Sequence, residues 1–454
     1  MEELTALVSS INSVLWGPYC LIPLLVGAGL YFSVRLKFVQ VRRFARACKF
    51  FLTPDSMSGE KASASKGMSS FQSLATAVAA QVGTGSLAGV ATALAMGGPG
   101  AIFWMWIAAF FGMATIFVEA VLAQLYKSTD FREQVTGGPA FYIANGLKSK
   151  PLAVFFAVTI ILALGLIGNM VQANSIADAF RTAFGLPVGA VGVAVAFLSG
   201  FIFIGGIRRI ASTTEKMVPM MAIMYLIGGA FVLVLHYDNV IPAFKMIFVG
   251  AFDPVAATGG AIGATVQEAI RYGVARGLFS NEAGMGSTPH AHAIARVKYP
   301  AEQGFVAIIG VFVTTFVVVT MTAMVILTTG VLDGKTTGIL LTQRAFETGL
   351  GEVGLMFVAV CLFFFAFSTI IGWYFFAEQN VKYLFGARGV LPYRFLVVCF
   401  VFCGSLLHVD LVWELADLFN GLMVLPNLIA LVALCGLVVK ALKVYEDSLE
   451  GRMK

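Results

Sequence analysis

The stretch QVGTGSLAG, residues 81–89, sits in the middle of an apolar run, residues 71–96, that is long enough to cross a bilayer. Between Ser70 and Val82 lie about 18 Å of helix, which puts the glycines near the midplane of a hydrocarbon layer ~30 Å thick. Gly83, Gly85 and Gly89 each cost roughly 1 kcal/mol against alanine in a helix. Non-helical backbone at that depth survives only where protein packs around it or where it lines a cavity. A break here yields two half-helices. The second presents free N–H groups and a positive dipole end to an anion, while carbonyls released at the end of the first can ligate a cation. The alternative is that the glycines let two helices pack closely, a spacing that Gly85 and Gly89 also satisfy.

Composition sets the frame for that stretch. Hydrophobic residues make up 59% of the 454 and charged residues 12%, about half the charged share of a soluble domain. A polytopic, all-α membrane protein is therefore expected. The opening MEELTA is acidic, unlike the basic start of a cleavable signal, so the first apolar segment is expected to stay as a membrane helix. Cys20, Cys48, Cys361, Cys399, Cys403 and Cys435 show no CxxC spacing and read as small buried hydrophobes.

Eleven apolar runs have the length of a membrane helix: residues 15–35, 70–96, 100–126, 152–183, 188–205, 217–235, 256–279, 303–330, 353–385, 391–407 and 411–440. With the N-terminus outside, alternation assigns 24 Lys and Arg residues to the cytoplasmic side and only Arg181, Lys245, Lys335 and Arg344 to the outer one. Arg271 and Arg276 fall within a helix. The expected division is one extra N-terminal helix with a basic cytoplasmic loop (1–69), a five-helix repeat (70–236), a second five-helix repeat of inverted topology (237–445) and a cytoplasmic tail (446–454).

Other polar clusters interrupt the apolar runs. TGGAIGA, residues 258–264, opens the helix that begins the second set of five, at the place QVGTGSLAG holds in the first. Paired glycine-rich interruptions of this kind point to a transporter site. Ser368 and Thr369 are adjacent hydroxyls in a very apolar helix. They can serve a hard cation as oxygen ligands, or simply bond the carbonyl one turn back. Asn169 and Gln172 share a helical face and suit either a solute or a neighbouring helix. Glu119 and Glu268 read as the acidic residues deepest in helices. Either can carry a proton, and for Glu268 a structural pairing near Arg271 and Tyr272 is the plainer alternative. His290 and His292 do not share a helical face, which argues against a metal site.

Several of these stretches resemble one family. GGPGAIFWMWIAAFFGM (97–113), RGLFSNEAGMGSTPHAHA (276–293), FAFSTIIGW (365–373), GNMVQANSIAD (168–178) and FNGLMVLPNL (419–428) are similar to the alanine or glycine:cation symporters, from WGPY at 16–19 nearly to the end. The resemblance implies a LeuT-type five-plus-five fold with broken helices. It also implies Na⁺-coupled import of small neutral amino acids (alanine, glycine, D-alanine or serine) across a bacterial or archaeal cell membrane. Apart from Na⁺ as the coupling ion, no cofactor is implied, and neither enzymatic activity nor nucleic acid enters. A proton-coupled amino-acid transporter is the alternative. Lipids are the surroundings, and the oligomeric state is left open.

On that resemblance a sodium ion lies between Val82 with its neighbours and Ser368 with Thr369. The family pattern usually reads GTGN at the first break, where this chain has Ser86, which weakens a side-chain ligand for a second sodium. The α-carboxylate is expected on N–H groups around Gly83, Thr84, Gly85 and Ser86, with Gln81 bordering them. The ammonium is expected on carbonyls from Gly259 to Gly263 and on Gln172, and Trp373 is expected to bound a small side-chain pocket. Residues 279–293 are expected on the cytoplasmic side as an inner gate, with Glu282 paired to Arg276. Two rivals fare worse. A potassium-type filter needs four identical loops around an axis, and an intramembrane hydrolase needs a nucleophile motif such as GxSxG or HExxH, which no helix carries.

Overall fold

Once apolar runs of this length enter lipid, each must pair its backbone groups internally, so helix is the only economical answer. The computed structural model describes residues 2–17, 19–52, 67–130, 133–254, 264–407 and 410–450. The chain opens with α1 (Glu2–Leu15), α2 (Leu21–Arg35), the single turn α3 (Val39–Arg42) and the short basic helix α4 (Phe44–Phe51). Next come α5 (Ser70–Gln81) and α6 (Gly85–Gly97), which are bent by 52° against each other. α7 (Gly100–Leu125) leads to a small antiparallel hairpin, β1 (Ser128–Thr129) with β2 (Val135–Thr136), and to α8 (Pro139–Gly146). α9 (Lys150–Phe184), α10 (Val188–Ile204), α11 (Gly206–Leu235) and α12 (Val240–Gly250) follow.

The second half runs through α13 (Val266–Asn281), α14 (Pro289–Ala293), α15 (Pro300–Thr329), α16 (Gly338–Leu350), α17 (Glu352–Phe385), α18 (Ala387–Leu406) and α19 (Asp410–Leu449). Among the described residues, seven helices are long and apolar enough to cross a membrane, and the bent pair α5 and α6 makes an eighth. α2 and α10 fall where spans were expected but are shorter than those seven. The run at 256–279 is described only from Ala264, so Gly259 and Gly263 lie outside the described residues. α1, α12 and α16 are helices that a search for membrane-length runs passes over.

Local chemistry fixes where the central elements start and stop. Ser69 opens α5 with a reciprocal box: the Gln72 N–H donates to Ser69 Oγ at 3.0 Å, and the Ser69 N–H donates to Gln72 Oε1 at 3.2 Å. Thr265 and Glu268 open α13 in the same way. Wide π turns interrupt α9 at Ile161–Gly168 and α15 at Phe312–Val319, and a third opens α6 at Gly85–Gly89. Such turns misalign the backbone ladder and are frequent at functional sites. α13 packs along α7, while α5 packs between α11 and α17. The bend at residues 82–84 is thereby held in the middle of the protein.

Candidate functional site

α5 ends at a defined point. The Val82 N–H still donates to the Val78 carbonyl at 2.8 Å, but the Thr84 N–H, the helical partner of the Ala80 carbonyl, turns to Gln172 Oε1 at 3.2 Å. Gln172 Nε2 donates in return to Thr84 Oγ1 at 3.0 Å. One amide of α9 thus serves both the N–H and the hydroxyl of Thr84. Thr84, Ser86 and Gln172 are all buried.

The Ala79 and Ala80 carbonyls at this end face α17. Thr369 Oγ1 stands 2.9 Å from the Ala79 oxygen and 3.4 Å from that of Ala80, and Ser368 Oγ stands 3.1 Å from the Ala79 oxygen. Both hydroxyls also lie within bonding distance of the Phe365 carbonyl one turn back, at 2.8 Å for Ser368 and 3.0 Å for Thr369. Two hydroxyl protons therefore serve three carbonyl oxygens in a fully buried place. This crowd of oxygens from two elements is the donor set a hard monovalent cation uses.

A second interruption lies opposite the first. α13 stops at Asn281, Glu282 adopts the left-handed region with φ 58°, and Gly284 and Gly286 follow at φ 88° and 82°. Positive φ at two positions needs glycine, since a Cβ there is strained. All of residues 279–295 are buried. The segment packs against the first break: Gln81 Nε2 donates to the Asn281 carbonyl at 2.6 Å, and Ser86 Oγ and Ser280 Oγ meet at 3.1 Å. Gly85 lies against the Phe279 ring. The two non-helical segments face each other.

Two carboxylates hold the second segment in shape. Glu119 of α7 accepts the Gly284 N–H at 3.1 Å, the Gly286 N–H at 2.9 Å and Asn427 Nδ2 at 2.7 Å. Glu282 accepts Trp373 Nε1 at 2.6 Å and the Ser287 hydroxyl at 2.5 Å. The expected Glu282–Arg276 pair is not formed, because the Glu282 carboxylate turns inward to Trp373. Arg276 instead pairs with Asp417 of α19 at 3.2 Å. Glu268 is not deep either: it stands in the first turn of α13, where its carboxylate accepts the Thr265 N–H at 2.7 Å. The apolar run before it masks the cap in the sequence.

Aromatic rings limit the space around the two segments. Trp373 meets Phe279 edge to face at 6.3 Å, and Phe279 leans on Trp413 at 6.1 Å. Above Phe279, at the end away from most Lys and Arg, the Arg276–Asp417 pair borders a cavity of about 360 Å³ lined by Asn174, Asp178, Trp413 and Glu414. The arrangement offers N–H groups at the start of α6, carbonyls at the end of α13, an oxygen cluster on α17 and aromatic walls between them. Gln81, Gly83, Ser86 and Gln172 stand together at the first break, where Gln172, expected on the ammonium, bonds the Thr84 N–H and hydroxyl instead. Ser280, Asn281 and the two glycines after them were missed, although Gly-x-Gly before Pro289 signals an interruption.

Comparison with known proteins adds four findings. The sequence model of the sodium:alanine symporter family matches residues 1–454. The chain is 41% identical to the sodium/alanine symporter AgcS of Methanococcus maripaludis, covering 100% of this chain and 99% of that one. It is also 41% identical to the amino-acid carrier protein AlsT of Bacillus subtilis, over 94% of this chain and 89% of that one. Among solved structures, the fold is similar to MhsT in complex with L-phenylalanine, a transporter of the LeuT-type fold. The TM-score is 0.57 at 12% identity, covering 82% of this chain and 98% of that one. At that identity the likeness speaks to the fold alone.

Proposed function

The chain belongs to the sodium:alanine symporter family of multi-pass membrane transporters, and from that premise we propose that it imports small neutral amino acids together with Na⁺ by alternating access. The observation that carries this reading is the meeting of two buried, non-helical segments, residues 82–84 and 282–288, beside the Ser368 and Thr369 hydroxyls. Peptide groups released from regular helical pairing at membrane depth suit a zwitterion together with a cation.

In this scheme the α-carboxylate rests on N–H groups around Gly83 to Ser86, at the positive end of α6. The ammonium lies near the opposite pole, where α13 ends and the Phe279 and Ser280 carbonyls have run out of helical partners. Gln172 fixes the Thr84 peptide rather than reaching past it. Phe279 and Trp373 leave room for a small side chain. Sodium takes the oxygens of Ala79, Ala80, Ser368 and Thr369, with the Val82 carbonyl at the turn. Its presence joins α5 to α17, so the ion and the solute stabilise the same conformation.

The Lys- and Arg-rich end of the bundle is assigned to the cytoplasm, with the N-terminus outside. Closure on the outer side then falls to Phe279 under the Arg276–Asp417 pair. The test is uptake of labelled L-alanine into proteoliposomes under an inward gradient of Na⁺, Li⁺ or choline, followed by counterflow with a panel of small L- and D-amino acids. Saturable, Na⁺-dependent counterflow supports the reading. Uptake driven equally by choline, or driven only by a pH gradient, overturns it in favour of a proton carried on Glu119 or Glu282.

A further inference from the structure

Between α5, α11 and α15 runs a furrow of about 240 Å³ whose lining is apolar throughout. The sequence explains why it is open. Pro219 sits inside α11 and cannot donate a backbone bond, α15 widens into its π turn at Phe312–Val319, and Ala222 and Gly310 are short where the neighbouring side chains are long. The furrow follows α5 from Phe71 to Val82, about 16 Å by the helical rise. Its inner end is therefore the residue at which α5 breaks.

The mouth is of different character. Phe51 of α4 leans over Phe71 at 6.0 Å. α4 is fixed in place by Phe44 against Phe312 at 5.0 Å and by Arg46 Nε donating to Tyr445 OH at 3.1 Å. Lys49, on the same short helix, is exposed. Across the mouth, Glu215 of α11 accepts Gln72 Nε2 at 2.9 Å, which sets the neighbouring, exposed Lys216 at the level of Phe71. Two exposed cationic side chains thus stand within three positions of lining residues, Lys49 two before Phe51 and Lys216 three before Pro219, on the side assigned to the cytoplasm.

We propose that this furrow binds one acyl chain of an anionic phospholipid of the inner leaflet, with Lys49 and Lys216 meeting its headgroup. Water is a poor occupant, because a water molecule needs polar partners and the lining has none. An acyl chain matches the length and the chemistry, and a negative headgroup matches the lysines. A chain seated to full depth touches Val82, so the lipid props the first half of the broken helix away from α15.

The test uses the full chain in nanodiscs containing phosphatidylglycerol or phosphatidylcholine that carries a photoactivatable diazirine in the acyl chain, with labelled residues mapped by mass spectrometry. The expected result is label concentrated on Val78, Ala222 and Val313, stronger for phosphatidylglycerol than for phosphatidylcholine. Ala222→Trp fills the furrow and removes that label, while label on the exposed Phe197 and Phe395 elsewhere on the lipid-facing surface stays as an internal control. Should Ala222→Trp not fold, Val313→Phe serves the same purpose. Lys49→Gln with Lys216→Gln abolishes the preference for phosphatidylglycerol and keeps the furrow label. Label spread evenly over the lipid-facing surface, or furrow label unchanged by both filling variants, overturns the site. A headgroup preference that survives loss of both lysines overturns the choice of an anionic lipid.

Discussion

Gly83 lies so close to Thr369 that a Cβ built on it collides with Thr369 Oγ1 and comes within 3.1 Å of Gln172 Oε1. The contact joins the first break, α17 and α9 at one point, and only a hydrogen fits there. Gly83→Ala is therefore expected to overpack the junction and cost about 1–3 kcal/mol of stability. Removing the opposing hydroxyl with Thr369→Ala is expected to return part of that loss. Unfolding midpoints in detergent for the two single variants and the double variant measure it. Strictly additive losses would show that the two residues do not press on each other.

The hydroxyls of Ser368 and Thr369 differ in what they touch. Thr369 reaches both the Ala79 and Ala80 carbonyls, and Ser368 reaches only that of Ala79. If these oxygens hold Na⁺, Thr369→Ala should weaken sodium activation more than Ser368→Ala does. Loss of one or two kcal/mol corresponds to a rise of about five- to thirty-fold in the Na⁺ concentration for half-maximal alanine uptake. Thr369→Ser, which keeps the oxygen, should stay near the parent value. Equal sodium dependence in all variants would remove these residues from the cation site.

How far the sequence exposes this site depends on what each interruption is made of. At residues 81–89 the glycines and hydroxyls stand alone in an apolar run, so the break is legible from periodicity and depth. At residues 282–288 the same Gly-x-Gly device is surrounded by Glu282, His290 and His292, and polarity reads as exposure. The structure satisfies that polarity internally. Glu282 is bonded by Trp373, about ninety residues away along the chain, and the glycine N–H groups by Glu119. Such long-range partners leave no local trace. Glu268 is the opposite case, since the Thr265–Glu268 capping box is present in the sequence but lies inside a continuous apolar window.

Gln172 makes a prediction about the backbone rather than about the solute. Its amide oxygen accepts the Thr84 N–H while its nitrogen donates to Thr84 Oγ1. Gln172→Ala leaves a buried donor unpaired, at a cost of about 1–3 kcal/mol. Gln172→Glu keeps the acceptor for the N–H, and the hydroxyl of Thr84 can rotate to donate, but a carboxylate then sits where the solute's own carboxylate is proposed. Both variants should lose alanine binding measured by isothermal titration calorimetry, and only Gln172→Ala should also lose thermal stability in the absence of solute. Retained alanine affinity in Gln172→Glu would move the solute carboxylate away from residues 83–86.

Among the described residues, the hydrogen bonds of Glu119 run to the second break and to α19. Its two oxygens take the Gly284 and Gly286 N–H groups, and Asn427 braces it from α19. Hydrogen bonds to a charged acceptor contribute about 1.5–3 kcal/mol each. Glu119→Ala is expected to destabilise the protein severely. Glu119→Gln retains one carbonyl oxygen for the glycines and should fold with a lowered unfolding midpoint. If the carboxylate only positions the segment, Glu119→Gln keeps Na⁺-driven uptake and its pH profile unchanged in shape. A profile flattened by the substitution would instead make Glu119 a proton carrier.

The Arg276–Asp417 pair ties α13 to α19 directly above Phe279, with both side chains about one-fifth exposed. A pair in that setting contributes only about 0–1 kcal/mol, so breaking it should shift the opening equilibrium by no more than about five-fold. Arg276→Gln is therefore expected to raise access to the site from outside without abolishing transport. The readout is the rate at which a membrane-impermeant thiol reagent modifies a cysteine introduced by Ser280→Cys, in a background whose six native cysteines are replaced by serine. Adding alanine with Na⁺ should slow that rate in both forms by closing the site. A rate that Arg276→Gln leaves unchanged would show that Phe279, packed on Trp373 and Trp413, is the sole outer barrier and that the ion pair above it plays no part in closure.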